Sequence, residues 1–218
     1  MKERKAIFWD FDGVIKESVS VKTKSYISVF HKFGSRITDR IRIHHEENGG
    51  QSRFEKIPLY LSWVYEEVSE ELVERYCDDF ASLVVDAVIE SDWVPGVREY
   101  LYQNFYQQRF VMITATPQGE IEVILKALGI NIFFERVYGA PMSKSKAIKM
   151  VLDERFCNDN ECLVIGDSVS DLEAAHVNGL DFLLRKTSLN KNLQANHSGL
   201  ICKDFLHEPT RNDIASSL

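Results

Sequence analysis

No stretch of this chain is apolar for long enough to cross a bilayer, which takes roughly 18 apolar residues in a row. The opening MKERKAIFWDFDG is basic at its start, but Asp10 and Asp12 interrupt its apolar run before it reaches the length of a secretory signal. No membrane partner is therefore expected, and the cytoplasm is the expected compartment. Cysteine is sparse. Cys77, Cys157, Cys162 and Cys202 form no CxxC pair and have no histidines at zinc-ligand spacing, which argues against structural zinc and leaves all four expected as reduced thiols. His44 and His45 are adjacent, whereas one helix face presents two ligands to a metal from positions four apart. Positive charge is also short, with 26 Lys and Arg against 33 Asp and Glu for a net charge of -7. Such a surface repels phosphate backbones, so no nucleic-acid partner is expected. Small metabolites are the default ligands, and an anionic one remains compatible where a few cations and a metal ion are concentrated. Repeats and low-complexity tracts are absent, which excludes solenoids and tails.

What is present is enough chain, 218 residues, for one core carrying a smaller insert. Short apolar runs end abruptly in a polar or small residue: Ala6 to Trp9 before Asp10, Phe110 to Ile113 before Thr114, and Cys162 to Ile165 before Gly166. Continuous apolar runs of this length are the pattern of parallel strands buried on both faces. Arg136 to Tyr138, Phe182 to Leu184 and Leu200 to Cys202 are weaker strand candidates. Helical patterns lie between them, the clearest over Thr116 to Leu128, with Pro117 in the first turn and Gly129 as the stop. Alternating strands and helices predict an α/β fold with a doubly wound parallel sheet. From Lys16 to Ser91 the pattern is helical throughout, including Ser69 to Ile89, and Trp93-Val94-Pro95-Gly96-Val97 then turns the chain back. The expected division is a core of residues 1–15 and 92–218 with an all-helical insert of residues 16–91.

In open parallel sheets ligands sit at the carboxyl ends of the strands. Four segments fall there: Asp10-Phe11-Asp12-Gly13, Thr114-Ala115-Thr116, Lys144 after Tyr138-Gly139-Ala140-Pro141, and Gly166-Asp167-Ser168-Val169-Ser170-Asp171. Their chemistry is complementary. Clustered carboxylates suit a hard divalent cation such as magnesium, while a hydroxyl and an ammonium suit phosphate oxygens.

With these segments in order, the sequence resembles the haloacid dehalogenase superfamily, in its phosphatase branch with a helical cap inserted after the first motif. IFWDFDGVI matches the first motif, VMITAT the second, APMSKSKAI the third and VIGDSVSDLEAA the fourth. The resemblance implies a Rossmann-like core and a magnesium-dependent phosphohydrolase acting on a small phosphorylated metabolite. In that pattern Asp10 is the nucleophile that forms an aspartyl-phosphate, and Asp12 is the general acid and base, a role that calls for a pKa raised toward neutrality. Magnesium is assigned to Asp10, to Asp167 and to the backbone carbonyl of Asp12, with Asp171 in support. Thr114 and the N–H of Ala115 are expected on the phosphate oxygens. Lys144 is expected to balance the charge there, with Lys146 and Lys149 as rivals because the proline that often follows the family's lysine is missing. An acid at Asp12 favours phosphate esters over carbon–halogen or carbon–phosphorus bonds. A phosphomutase would use the same motifs and a binding protein the same fold, and both readings stay open.

Within the insert, residues 44–53 form its most polar and glycine-bearing stretch, where caps of this family place a substrate-selecting loop. Gly50 and Arg53 are the expected substrate contacts there, with Lys56 on the same helical face. Lys22, Lys56 and His45 are the alternatives should Arg53 have another role. Oligomeric state is not legible in the sequence.

Overall fold

The computed structural model describes residues 1, 3–154 and 158–212. Its centre is a seven-stranded sheet built from β1 (Ala6–Trp9), β2 (Arg109–Pro117), β3 (Phe134–Ala140), β4 (Cys162–Gly166), β5 (Asp181–Arg185), β6 (Leu200–Cys202) and β7 (Thr210–Arg211), in the spatial order β3-β2-β1-β4-β5-β6-β7. Every pairing is parallel except that of β6 with β7. Strand order reverses at β1, which lies between β2 and β4 with Trp9 level with both Met112 and Ile165. This register aligns three carboxyl ends, so Asp10, the Thr114 segment and the Gly166-Asp167 segment open onto one crevice, where such sheets bind their ligands.

The apolar runs are continuous because both faces of the sheet are covered. Ile7, Trp9, Phe110, Met112, Leu163 and Ile165 pack on one side. Ala6, Phe8, Val111, Ile113, Cys162 and Val164 pack on the other, under α7 (Lys144–Asp153) and α8 (Val169–Val177). The helices α1 (Val19–Phe30), α2 (Ser35–Glu47), α3 (Arg53–Ser62) and α4 (Glu70–Glu90) follow one another without an intervening strand. Their buried faces, with Tyr26, Phe30, Ile41, Ile57, Tyr60, Tyr76 and Phe80, continue the first of these two clusters. The chain leaves and rejoins the sheet region through adjacent segments, with Glu17 N donating to Asp92 O at 2.8 Å and Val94 N to Ile15 O at 3.1 Å. Beyond this crossing α5 (Val97–Asn104) leads to β2, and α6 (Gln118–Ala127) and α9 (Lys191–Asn196) complete the helices.

Two expectations about the fold need correction, and one strand was not anticipated. The second motif does not open a helix at Thr116: β2 runs on to Pro117 and α6 starts at Gln118. The reason is steric, since a residue before proline is driven from helical to extended backbone, and Pro117 itself is extended at ψ 144° and pairs with Ala140 of β3. The strand β7 went unpredicted, having only two residues, both exposed. Cys77 and Cys202 are free thiols, but Cys162 is disulfide-bonded, so the reduced reading fails there; Cys157 lies outside the described residues. No helix among the described residues is long and apolar enough to cross a membrane.

Candidate active site

Asp10 follows a strand whose four residues are all fully buried, and its N–H donates to Ile165 O at 2.9 Å, so it enters the crevice as part of the ladder. Asp167 leaves β4 beside it, and carboxylate oxygens of Asp10, Asp167 and Asp171 lie within 4.8 Å of one another. Lys144, the first residue of α7, bridges two of them, with Nζ 2.9 Å from Asp10 Oδ1 and 2.6 Å from Asp171 Oδ1. Lys146 and Lys149 are exposed on the same helix, so of the three it is Lys144 that reaches the crevice. Gly13 is required by this packing. Its φ of +74° favours glycine, and a Cβ there would fall 2.1 Å from Asp167 Oδ2.

The charge account of this cluster does not close. Burial, and then the Asp171 carboxylate, push Asp10 up to about 7 against the pull of Lys144. Burial, and then the charges of Asp10 and Asp171, push Asp167 well above the usual carboxylate range. For Lys144 burial acts against the charged form, but the two carboxylates prevail and raise its pKa. One ammonium among three carboxylates leaves negative charge over, and an all-oxygen donor set is what a hard divalent cation takes. Asp171 is the least free of the three. It is fully buried, one oxygen receives Lys144, and the other caps α8 by accepting from Ser168 N at 3.1 Å and Ser168 Oγ at 2.5 Å.

Asp12 differs from expectation. Its Oδ1 accepts from Ser18 Oγ at 2.6 Å, and its Oδ2 forms an ion pair with Lys22 and accepts from Thr116 Oγ1 at 3.2 Å. Burial acts to raise the pKa, but the Lys22 charge and the hydrogen bonds from Lys22, Ser18 and Thr116 overcome it and hold the group below its ordinary value. The raised pKa anticipated for this acid is thus not what the fold provides. Ser18 was missing from the expected site, Thr116 was expected there only as part of the second segment and not as a partner of Asp12, and Lys22 figured only as an alternative substrate contact. A signal was present: Ser18 and Lys22 stand four apart at the start of the helix after the first motif, hence on one face.

Thr114 is buried and its Oγ1 accepts from Thr116 N at 3.1 Å. Thr114, Ala115 and Lys144 line a cavity of about 550 Å³ together with Gly50, Ser52 and Ser168. Gly50 approaches so closely that an added Cβ would lie 1.8 Å from Ser170 Oγ. Arg53 contradicts the expectation of a substrate contact. It is buried, its guanidinium pairs with Glu120 of α6 and lies over Phe80 at 4.6 Å, and Nη1 donates to Cys77 O at 3.4 Å. Its charge is already satisfied, because α3 turns this residue toward Glu120 of α6. Lys56 is buried with Nζ 2.9 Å from His45 Nδ1.

The family model of haloacid dehalogenase-like hydrolases matches residues 7–184. The chain belongs to that family. Among solved structures, the fold of this haloacid dehalogenase-like hydrolase is similar to beta-phosphoglucomutase from Clostridium difficile, at TM-score 0.73 and 20% identity over 93% of this chain and 92% of that one. It is similar also to a predicted phosphoglycolate phosphatase from Haemophilus somnus, at TM-score 0.72 and 20% identity over 94% and 96%. A CbbY variant from Rhodobacter sphaeroides in complex with xylulose-(1,5)bisphosphate aligns at TM-score 0.74 and 16% identity over 93% and 95%. No curated protein sequence matches the chain significantly.

Proposed function

We propose that this hydrolase is a magnesium-dependent phosphatase of a small phosphorylated metabolite, with a core of residues 1–15 and 92–218 and a helical cap of residues 16–91. The observation that carries the reading is the excess of carboxylate over ammonium where three strand ends meet, at Asp10, Asp167, Asp171 and Lys144. Asp10 and Asp167, with the backbone carbonyl of Asp12, would hold the ion, which supplies the positive charge that lets a phosphate dianion approach two carboxylates. Asp10 attacks phosphorus, the bond to the leaving oxygen breaks, and an aspartyl-phosphate forms that water then hydrolyses. Thr114, the N–H of Ala115 and Lys144 bind the non-bridging oxygens, and Lys144 keeps the Asp10 carboxylate in place.

Asp12 exchanges the proton. Paired with Lys22 it is ionised, the form that takes a proton from the hydrolytic water. To protonate the leaving oxygen it must first be relieved of Lys22, so movement of Lys22 belongs to the catalytic cycle of this reading. The test is phosphate release from p-nitrophenyl phosphate. Activity should appear with magnesium, vanish in excess EDTA and vanish in Asp10→Asn. Full activity in EDTA, or a substantial rate in Asp10→Asn, would overturn the assignment.

A further inference from the structure

Of the clustered carboxylates, Asp167 is the one that no partner holds by its side chain. Asp10 is paired with Lys144, and Asp171 with Lys144 and Ser168. The Asp167 carboxylate accepts no hydrogen bond and forms no ion pair among the described residues, and what acts on it is the charge of Asp10, Asp171, Lys144 and Asp12. Its direction is therefore set by its own backbone and by the close approach of Gly13. That backbone has just left the sheet. The pairing of β4 with β5 ends at Gly166 and Leu184, so Asp167 and Arg185 are the next residues along the two strands. The carbonyls of both accept from one side-chain amide, that of Asn190, whose Nδ2 lies 2.7 Å from Asp167 O and 2.8 Å from Arg185 O. A side chain thus stands in for the next rung of the ladder.

The arrangement suits an asparagine in particular. Asn190 Oδ1 accepts from Thr187 N at 2.9 Å and from Gln194 Nε2 at 2.6 Å, so the donors and acceptor positions of the amide are all filled. Turning the amide over would set its oxygen against two carbonyls, which fixes its orientation. Asn190 also stands at the N-cap of α9, where an asparagine ordinarily accepts from its own helix, but here the side chain makes no such bond. Its far anchor is firm, since Arg185 is buried, its guanidinium pairs with Glu17 and its Nε donates to Lys203 O at 3.2 Å.

We propose that Asn190 is a positioning residue for Asp167: by tying the Asp167 carbonyl to Arg185 it fixes where the carboxylate meets a divalent ion, and so sets the affinity for magnesium and its discrimination from calcium. The inference rests on the phosphatase reading of the site for the ion alone. Magnesium demands a near-ideal octahedron with short bonds, whereas calcium accepts irregular and flexible donor sets, so a carboxylate free to swing costs magnesium more. Groups that orient metal ligands contribute about ten- to a hundredfold to metal affinity.

The test is calorimetric titration of the intact chain with magnesium chloride and, separately, with calcium chloride, with no phosphate ester present. Asn190→Ala should weaken magnesium binding by about tenfold or more and calcium binding by less than about threefold, so that the ratio of the two dissociation constants moves toward calcium. Gln194→Ala is the control for anchoring of the loop, because it removes a bond to Asn190 Oδ1 and leaves both donors of the amide in place. There both affinities should stay within about twofold of the wild type. Should Asn190→Ala not fold, Asn190→Ser, which keeps a good N-cap residue but is too short to reach the two carbonyls, is read in the same way. Unchanged magnesium affinity, or equal weakening of both metals, overturns the proposal and leaves the phosphatase reading standing. So does a Gln194→Ala variant that matches Asn190→Ala, since anchoring of the loop would then be the whole effect. A shift that depends on Asn190 in a chain releasing no phosphate would support the positioning role and refute the phosphatase reading. A wild-type chain that takes up no magnesium would refute both.

Discussion

The two walls of the crevice are built on opposite electrostatic plans. On the sheet side, carboxylates outnumber the one ammonium that touches them, and burial makes Asp10 and Asp167 resist ionisation. On the helical side, Lys56 and His45 face each other without a carboxylate of their own, and burial makes both resist protonation. Each wall alone is a poor place for its charges. The difference teaches how each side meets its burial: the sheet ends keep an excess of carboxylates that suits a hard cation, and the helices hold a lysine against a histidine with no carboxylate between them. Stability sacrificed at a cluster of like charges is a common property of functional sites.

The largest effects belong to the sheet side. Asp10→Asn should lower phosphate release by about a thousandfold or more, measured with saturating magnesium, and a smaller loss would mean that the walls share the chemistry. Lys144→Met should destabilise the metal-free protein by about 3 to 5 kcal/mol, read from urea unfolding, because it leaves Asp10 and Asp171 buried without their cation. Magnesium should return part of that loss by ligand linkage. If Lys144→Met were neutral, the sheet wall would not have the charge imbalance described here.

How much of this the sequence disclosed depends on how local each feature is. A residue that follows a buried strand in a parallel sheet is aimed by its own neighbours, so Asp10, Thr114 and Asp167 could be located from apolar runs alone, and the register of β1 with β2 and β4 then brings them together. The helical stretch from residue 16 to 91 was legible for the same reason, through its period. What escaped depends on packing between distant elements. Nothing near Arg53 in the chain signals that Glu120 will meet it, and nothing near Asp12 signals that Thr116, at the extended end of β2, will reach back to it. The overturned pKa of Asp12 follows from this, since the acid close to it in sequence is Asp10 while its partners in space are Lys22 and two hydroxyls. Pairing across a fold is set by which faces dock, and single-sequence periodicity identifies faces but not their mates.

An intermediate effect tests whether the two walls are pressed together as described. Gly49 and Gly50 are adjacent on the loop after α2, but a Cβ on Gly49 meets nothing within 4 Å, while one on Gly50 would lie 1.8 Å from Ser170 Oγ and 2.5 Å from Ser168 Oγ. Gly50→Ala should therefore cost about 1 to 3 kcal/mol as an overpacked contact, and Gly49→Ala should stay within about 0.5 kcal/mol, both read from thermal unfolding. Adding Ser170→Gly to Gly50→Ala should recover part of the loss. Equal effects at the two glycines would show that the loop does not rest on the start of α8.

The smallest effect separates the helical wall from the sheet wall by sign. Lys56 has a folded pKa of about 7 against an ordinary value of 10.5. Below pH 7 it is charged in both folded and unfolded chains, and the folded one carries the full penalty of burying that charge. Between about 7 and 10.5 the unfolded chain holds the proton more tightly, so this residue makes stability rise with pH across that window, and above it the two states no longer differ. At about 1.4 kcal/mol per unit the penalty has a ceiling of about 5 kcal/mol, of which relaxation and water entry should leave about 1 kcal/mol. Lys56→Met should thus be more stable than the wild-type chain at pH 6, and the advantage should shrink steadily toward pH 10. The difference between the two unfolding curves reports Lys56 together with His44 and His45, whose pKa values its charge helps to lower. The same replacement at Lys144 destabilises, because there the ammonium neutralises carboxylates that the fold has buried. A Lys56→Met variant less stable than wild type at pH 6 would mean that the ammonium already has an anion within the protein, and the contrast between the two walls would be lost.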